Sequence, residues 1–249
     1  VELGQRKVDH NEFENFKDFY TKDWQKFIDY NIVDVELVSR LEEKMKLIEL
    51  AVALAYDAKV NMQDVYYQVR MWDTLIYNFL NKKGIVVPPG KRSDKDEKYA
   101  GAYVKEPIAG KYKWVVSFDL NSLYPHLIMQ YNISPETLVE KRHPSATVNK
   151  ILSQSVEVPK EFCLCANGAM YRKDIHGFLP EMMKKIYDER VQSKKLMILA
   201  KQEYEKTPTK ELEKSISKYN NIQMARKIQL NSAYGAIGNQ YFRYYNLIN

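Results

Sequence analysis

Long apolar runs are missing from this 249-residue sequence. None approaches the roughly 20 residues that a membrane span needs, and no signal peptide opens the chain. The reading is therefore a soluble, cytoplasmic protein with no membrane partner. Cysteine is scarce: Cys163 and Cys165 cannot complete a four-ligand zinc site, and their one-residue spacing suits neither a zinc finger nor a redox pair, so they read as reduced thiols. His10, His143 and His176 lie far apart and show no metal-ligand spacing. Repeats and low-complexity segments are absent. Charge of one sign is not in large excess either, since 38 basic against 32 acidic residues leave a formal +6, which permits a nucleic-acid partner without demanding one. What is present is ordinary globular material, 45% hydrophobic, with 19 tyrosines that combine a flat stacking surface with a polar tip. The chain starts on Val1 rather than Met and stops at Asn249 inside a Tyr-rich stretch. Both ends read as cut.

Apolar residues at Val35, Val38, Leu41, Met45, Ile48, Val52 and Ala55 fall in steps of three and four, which predicts one helical face from Val35 to Tyr56. A second helix follows, with Asp64 as its cap, Trp72, Ile76 and Phe79 as its stripe, and Gly84 ahead of Pro88-Pro89 as its stop. Residues 90–98 are short, polar and charged, the composition of an exposed connection. From Tyr112 to Leu120 the nearly continuous apolar run Trp114, Val115, Val116, Phe118 predicts a strand covered on both faces and ending on Asp119. Pro180 opens a helical stretch to about Lys206, Thr207-Pro208-Thr209 breaks it, and a second stretch with Leu212, Ile216, Tyr219 and Ile222 inward runs to about Gly235. That is a helical hairpin with arms of roughly 40 Å.

Four local patterns carry chemistry. Asp119-Leu120-Asn121-Ser122-Leu123-Tyr124-Pro125 places a carboxylate at a strand end before a tight turn, where it and an adjacent carbonyl supply hard oxygen ligands for a divalent cation. Alone, such an aspartate is usually a helix cap. Lys227, Asn231 and Tyr234 stand at i, i+4 and i+7, so one helical face presents a cation, an amide and an aromatic ring. Alone, that stripe is a solvated lysine beside core aromatics. Arg190 and Lys194 lie one turn apart on the first hairpin arm, and that pair alone is a solvated face. Tyr30-Asn31-Ile32-Val33-Asp34 puts a phenol and a carboxylate on one helical face, a weak pattern by itself.

Taken together and in this order, the patterns resemble B-family DNA polymerases, over essentially the whole chain. Asp-x-x-Ser-Leu-Tyr-Pro resembles the first polymerase motif and Lys227-x-x-x-Asn231-Ser-x-Tyr234-Gly235 the second. Tyr30-x-x-x-Asp34 resembles the last proofreading-exonuclease motif, and Tyr99-Ala100-Gly101-Ala102-Tyr103 the stretch joining exonuclease to polymerase. Asn132-Ile133-Ser134-Pro135-Glu136-Thr137 and Phe242-Arg243-Tyr244-Tyr245 look most like the replicative polymerases of large tailed phages, which would put the chain in a host cytoplasm. The resemblance implies an α+β fold: the helical end of an exonuclease domain (residues 1–57), a helical linker region (58–98), the first part of a palm β-sheet with helices (99–178), a long antiparallel two-helix fingers hairpin (179–237) and the start of the return to the palm (238–249).

The same resemblance implies site roles. Asp119 and the Leu120 carbonyl would bind Mg²⁺, two ions serving the polymerase site. Ser122, Leu123, Tyr124, Arg190, Lys194, Lys227, Asn231, Tyr234 and Gly235 would bind the deoxynucleoside triphosphate, with Tyr124 under the sugar and Arg190 at the γ-phosphate. Asp34 would bind a divalent metal of the 3′–5′ exonuclease, with Tyr30 positioning water. Tyr99 and Gly101 would contact DNA. The implied partners are primer-template DNA, dNTPs and a sliding clamp bound through a region beyond this sequence. One departure is His126, where most relatives carry Ser; it is read as packing or bonding locally. The third polymerase motif, Asp-Thr-Asp, occurs nowhere in the sequence, and nothing before Tyr30 offers an Asp-x-Glu. The isolated chain is therefore expected to be inactive. Two rival readings stay open: a non-catalytic nucleotide- or nucleic-acid-binding module, and one subunit of a split polymerase.

Overall fold

A computed structural model describes residues 3–90 and 104–246. Tyr99 and Gly101 lie outside the described residues. The chain divides into two compact units, residues 1–52 and 53–249.

The first unit is helical. Asn15 caps α1 (Phe16–Lys22) by accepting from the Asp18 N–H at 2.9 Å, and Asp23 caps α2 (Trp24–Met45) by accepting from Lys26 N–H at 3.0 Å. The apolar stripe from Val35 to Tyr56 is helical, but in two pieces. Lys46 turns left-handed at φ 54° and ends α2. α3 (Leu47–Ala58) begins at once, because the Glu42 carboxylate accepts from the N–H groups of Leu47 and Ile48 at 3.1 and 3.0 Å and so replaces the carbonyls those donors would otherwise lack.

In the second unit, Asp64 is not the cap of the next helix. It lies in a 3₁₀ turn (Met62–Tyr66), its carbonyl accepts from Tyr67 N–H, and its carboxylate pairs with Arg70 at 3.4 Å. The helix, α4 (Gln68–Lys82), starts after Tyr67. It stops as expected: Gly84, at φ 70°, donates to Asn81 O while Ile85 donates to Leu80 O, the paired bonds of a Schellman ending. Trp72 and Ile76 are fully buried, and Phe79 is half-buried.

The strand expected over 112–120 does not form. Residues 104–120 run outside any helix or ladder, Trp114 sits at φ 58°, and Trp114 and Phe118 are 96% and 92% exposed. A strand satisfies its backbone groups only beside another strand, and among the described residues no segment runs beside this one. The sheet that does form is a hairpin, β1 (Phe162–Leu164) against β2 (Met170–Arg172), closed through Asn167 and Gly168, the latter at φ 84°. The structure is thus mostly helical with one small antiparallel sheet.

Two short helices precede the hairpin of long ones: α5 (Leu123–Tyr131) and α6 (Val148–Leu152). The long helices are α7 (Phe178–Lys206) and α8 (Lys210–Ile237), which pack along each other. The start of α7 is prepared by the segment before it. Glu136 accepts from Phe178 N–H at 2.6 Å, Ser134 Oγ from Leu179 N–H at 3.4 Å, and the Asn132 amide holds Gly177 N–H, Arg172 O and Ile175 O. Glu136 thereby lends a negative charge to a helix N-terminus, a gain of about 0.3–1 kcal/mol. Thr209 restarts the chain after Pro208 by accepting from Leu212 N–H at 3.2 Å.

Candidate nucleotide-binding site

Helix α8 has two faces. One face is clamped. Arg226 pairs with Asp57 of α3 and, at 2.7 Å, with Glu189 of α7. Gln229, fully buried, donates to the same Asp57 carboxylate at 2.6 Å. Ser232 receives the Trp72 indole N–H at 3.0 Å. Just past the helix, Arg243 forks onto both carboxylate oxygens of Asp73 at 2.7 and 2.9 Å. The other face is open: Lys227, Asn231 and Tyr234 are all exposed. The spacing of 3.6 residues per turn separates the two rows.

The turn carrying Ser122, Leu123 and Tyr124 is brought against that open face and against α7. Ser122 adopts a left-handed conformation at φ 54° and starts α5. Arg190 of α7 donates to its hydroxyl at 3.1 Å. The Tyr124 ring stacks on Tyr234 of α8, centroids 4.4 Å apart and planes 11° from parallel. His126 packs edge-on against Tyr187 at 4.8 Å, and its Nδ1 lies 2.9 Å from the Ser122 carbonyl, which agrees with the local role read for it. Three elements distant in sequence thus converge on one cluster: Ser122 and Tyr124, Arg190, and Tyr234.

Two features of the cluster suit an anionic ligand. Arg190 Nε is buried and has no partner among the described residues, an unsatisfied cationic donor beside the turn. Lys194 and Lys227 add two exposed ammonium groups. Gly235 has a further neighbour: a Cβ there would meet the Gln68 carboxamide oxygen at 2.7 Å, so the missing side chain makes room for α4's first residue.

Asp119 and Leu120 lie on the exposed segment before the turn. Carboxylate and carbonyl oxygens are the hard donors that Mg²⁺ takes. Among the described residues, however, no three His, Cys, Asp or Glu side chains gather into a metal-sized group. The residues present fit one part of a magnesium shell.

Within the first unit, Asp34 accepts from the Lys7 ammonium at 2.9 Å, and its other oxygen is buried without a partner among the described residues. Its carboxyl is held below the ordinary value, chiefly by the Lys7 hydrogen bond, with burial opposing and the Tyr30 hydroxyl assisting. Tyr30 packs edge-on against His10, Phe16 and Phe19 at 5.1–5.9 Å. Lys7, which no motif marks, neutralises the carboxylate assigned to a metal. Cys163 and Cys165 are both free thiols, and burial first, then the neighbouring Cys163, pushes the Cys165 thiol up to about 11.

Sequence reasoning did not find the Asp57–Arg226–Glu189 and Asp73–Arg243 pairs. Their partners stand 37 to 170 positions apart, beyond any local pattern. The one available signal was a charged residue, Arg226, on the apolar row of a helix.

Against this geometry, the profile of DNA polymerase family B matches residues 61–247, and the chain belongs to that family. Among its relatives, the chain is 34% identical over 267 residues to a DNA-directed DNA polymerase of Escherichia phage RB69, covering 90% of this chain and 29% of that protein. Identity is 32% over 269 residues to the DNA-directed DNA polymerase of Enterobacteria phage T4, covering 90% and 30%. The structure of the family B DNA polymerase of Pyrobaculum calidifontis shares the fold with a TM-score of 0.64 at 23% identity, over 96% of this chain and 30% of that one. The chain spans about 30% of the length of these phage relatives. No helix among the described residues is long and apolar enough to cross a membrane.

Proposed function

We propose that these residues form the nucleotide-selecting part of a replicative DNA polymerase, a protein that adds deoxynucleotides to a primer on a DNA template. The observation that carries this reading is the convergence of Arg190 on Ser122 and of Tyr124 on Tyr234, which joins the two polymerase motifs and the long hairpin in one cluster.

In the reaction, the primer 3′-oxygen bonds to the α-phosphorus of the incoming dNTP, the bond to the pyrophosphate oxygen breaks, and the hydroxyl proton leaves to solvent. Arg190, Lys194, Lys227 and Asn231 bind the triphosphate and neutralise charge as pyrophosphate departs. Tyr124, held flat by Tyr234, closes the space at the sugar 2′ position and so favours deoxyribose. Asp119 and the Leu120 carbonyl would hold magnesium, which when bound would supply Lewis-acid activation of the hydroxyl and stabilisation of phosphate charge. Tyr99 and Gly101 contact the template. In the first unit, Tyr30 and Asp34 would contribute to a 3′–5′ proofreading site, Asp34 as a ligand for a divalent cation and Tyr30 as a positioner of water. The clamp and the host cytoplasm complete the setting. Domain limits follow the same reading: exonuclease to residue 57, linker to 98, palm to 178, fingers to 237.

Without a second catalytic carboxylate the 249-residue chain neither polymerises nor proofreads, and serves in this form only to bind nucleotide. Two measurements test the reading. Primer extension with Mg²⁺ by the purified chain should be absent. Asp119→Ala in the full-length polymerase should lower extension by about 10³-fold or more; undiminished extension would sink the assignment. A non-catalytic module is the second reading, favoured by the absence, among the described residues, of a carboxylate cluster able to hold a metal. It holds if the adjoining coding sequence lacks an Asp-Thr-Asp, whereas an Asp-Thr-Asp in a separate reading frame identifies a split enzyme.

A further inference from the structure

Glu189 and Arg226 each immediately precede a residue assigned to the triphosphate: Arg190 on α7 and Lys227 on α8. They meet each other at 2.7 Å. Successive residues on a helix are 100° apart. Fixing the angular position of Glu189 therefore fixes that of Arg190, and fixing Arg226 fixes Lys227. The same guanidinium is tied to α3 through Asp57, and Gln229, one turn on, bonds both Arg226 at 3.0 Å and Asp57 at 2.6 Å. The Arg226 side chain is only 16% exposed. With its partners Asp57 and Glu189 28% and 34% exposed, its two ion pairs are partly shielded from solvent and so are screened less than fully exposed pairs.

We infer that Arg226 is a positioning residue of the nucleotide site. Its guanidinium sets the rotation of α7 relative to α8, so that Arg190 and Lys227 face one triphosphate together. Planarity is what the role requires. One face of the fork engages α7 through one terminal nitrogen and α3 through the other, which a lysine ammonium on a flexible stem does not reproduce. The inference rests on the nucleotide-binding reading of Arg190 and Lys227.

The test uses the full-length polymerase and single-nucleotide incorporation across a range of dNTP concentrations. Glu189→Gln removes the charge of the α7 link, weakening it to a neutral hydrogen bond, while leaving Arg226 paired with Asp57. It should raise the dNTP concentration for half-maximal rate about 3- to 10-fold, with the maximal rate and the affinity for primer-template within twofold of the parent. Arg226→Lys should do the same or more, and the double variant should be no worse than Arg226→Lys alone, because both changes break one link. Circular dichroism and melting of Glu189→Gln keep the test usable if Arg226 variants fold poorly. Arg190→Ala serves as the reference. If Arg190→Ala weakens dNTP use while Glu189→Gln and Arg226→Lys match the parent, the positioning role is wrong and the site stands. If Arg190→Ala also matches the parent, the site assignment itself has failed.

Discussion

Residues 178–237 and residues 104–120 are both rich in apolar side chains, yet one region is built and the other lies open. A helix satisfies its own backbone hydrogen bonds, so α7 and α8 need neighbours only to cover their side chains, and each supplies much of that cover to the other. A strand borrows every backbone partner from elsewhere. Residues 112–120 have the composition for a central strand and no companion among the described residues, so Trp114 and Phe118 stay in solvent. The contrast teaches where the folding information sits: within the hairpin for α7 and α8, and not within residues 112–120 for a strand there.

Substitutions can break or sharpen that contrast. The largest effect is expected where the hairpin is anchored. Trp72 is 1% exposed and donates to Ser232 of α8. Trp72→Ala should cost about 3–5 kcal/mol in urea unfolding of this chain, by cavity formation and by loss of the indole hydrogen bond, while the Ser232 hydroxyl keeps its bond to the Gln229 carbonyl; a loss under 1 kcal/mol would mean that α4 does not support α8. Next comes Gly177, where an added Cβ would lie 2.5 Å from Ser134 Cβ. Gly177→Ala should cost about 1–3 kcal/mol in the same assay, because the Ser134 backbone side of the contact cannot swing away as a long side chain would. The smallest effect belongs to the open segment. Phe118→Ser should change the stability of this chain by less than about 0.5 kcal/mol, but should lower that of the full-length polymerase by several-fold more if companion strands cover the residue there. Equal, small effects in both settings would show that residues 112–120 are no strand in either.

The same division explains what was legible beforehand. The hairpin, its Thr207-Pro208-Thr209 break and the Gly84 stop could be read because caps, prolines and left-handed glycines act within a few residues. Lys46 was not readable as a break: nothing at Lys44-Met45-Lys46-Leu47 forbids helix, and only the Glu42 side chain makes the interruption affordable. Asp64 had the residue type of a cap, but its carboxylate is occupied by Arg70. The β1–β2 turn was overlooked although Asn167-Gly168 is a strong hairpin signal between Phe162-Cys163-Leu164 and Met170-Tyr171-Arg172. In the site, the open face of α8 was visible from the spacing of Lys227, Asn231 and Tyr234. The clamped face was not, since its ion pairs join residues that no spacing rule connects.

The anchored beginning of α7 makes the helix a lever. Gly177 is fixed by Asn132, Phe178 by Glu136, and the first turns are buried, whereas the distal arm is largely exposed. At ~1.5 Å rise per residue, Arg190 stands about 20 Å from this fulcrum and Lys206 about 43 Å. A tilt of about 10° at Gly177 would carry Arg190 some 3–4 Å and the tip about 7 Å. That distance separates a hydrogen bond from none. A modest change of angle at the base of α7 is therefore multiplied along its length, and the links of Arg226 to Asp57 and Glu189 are what resist it.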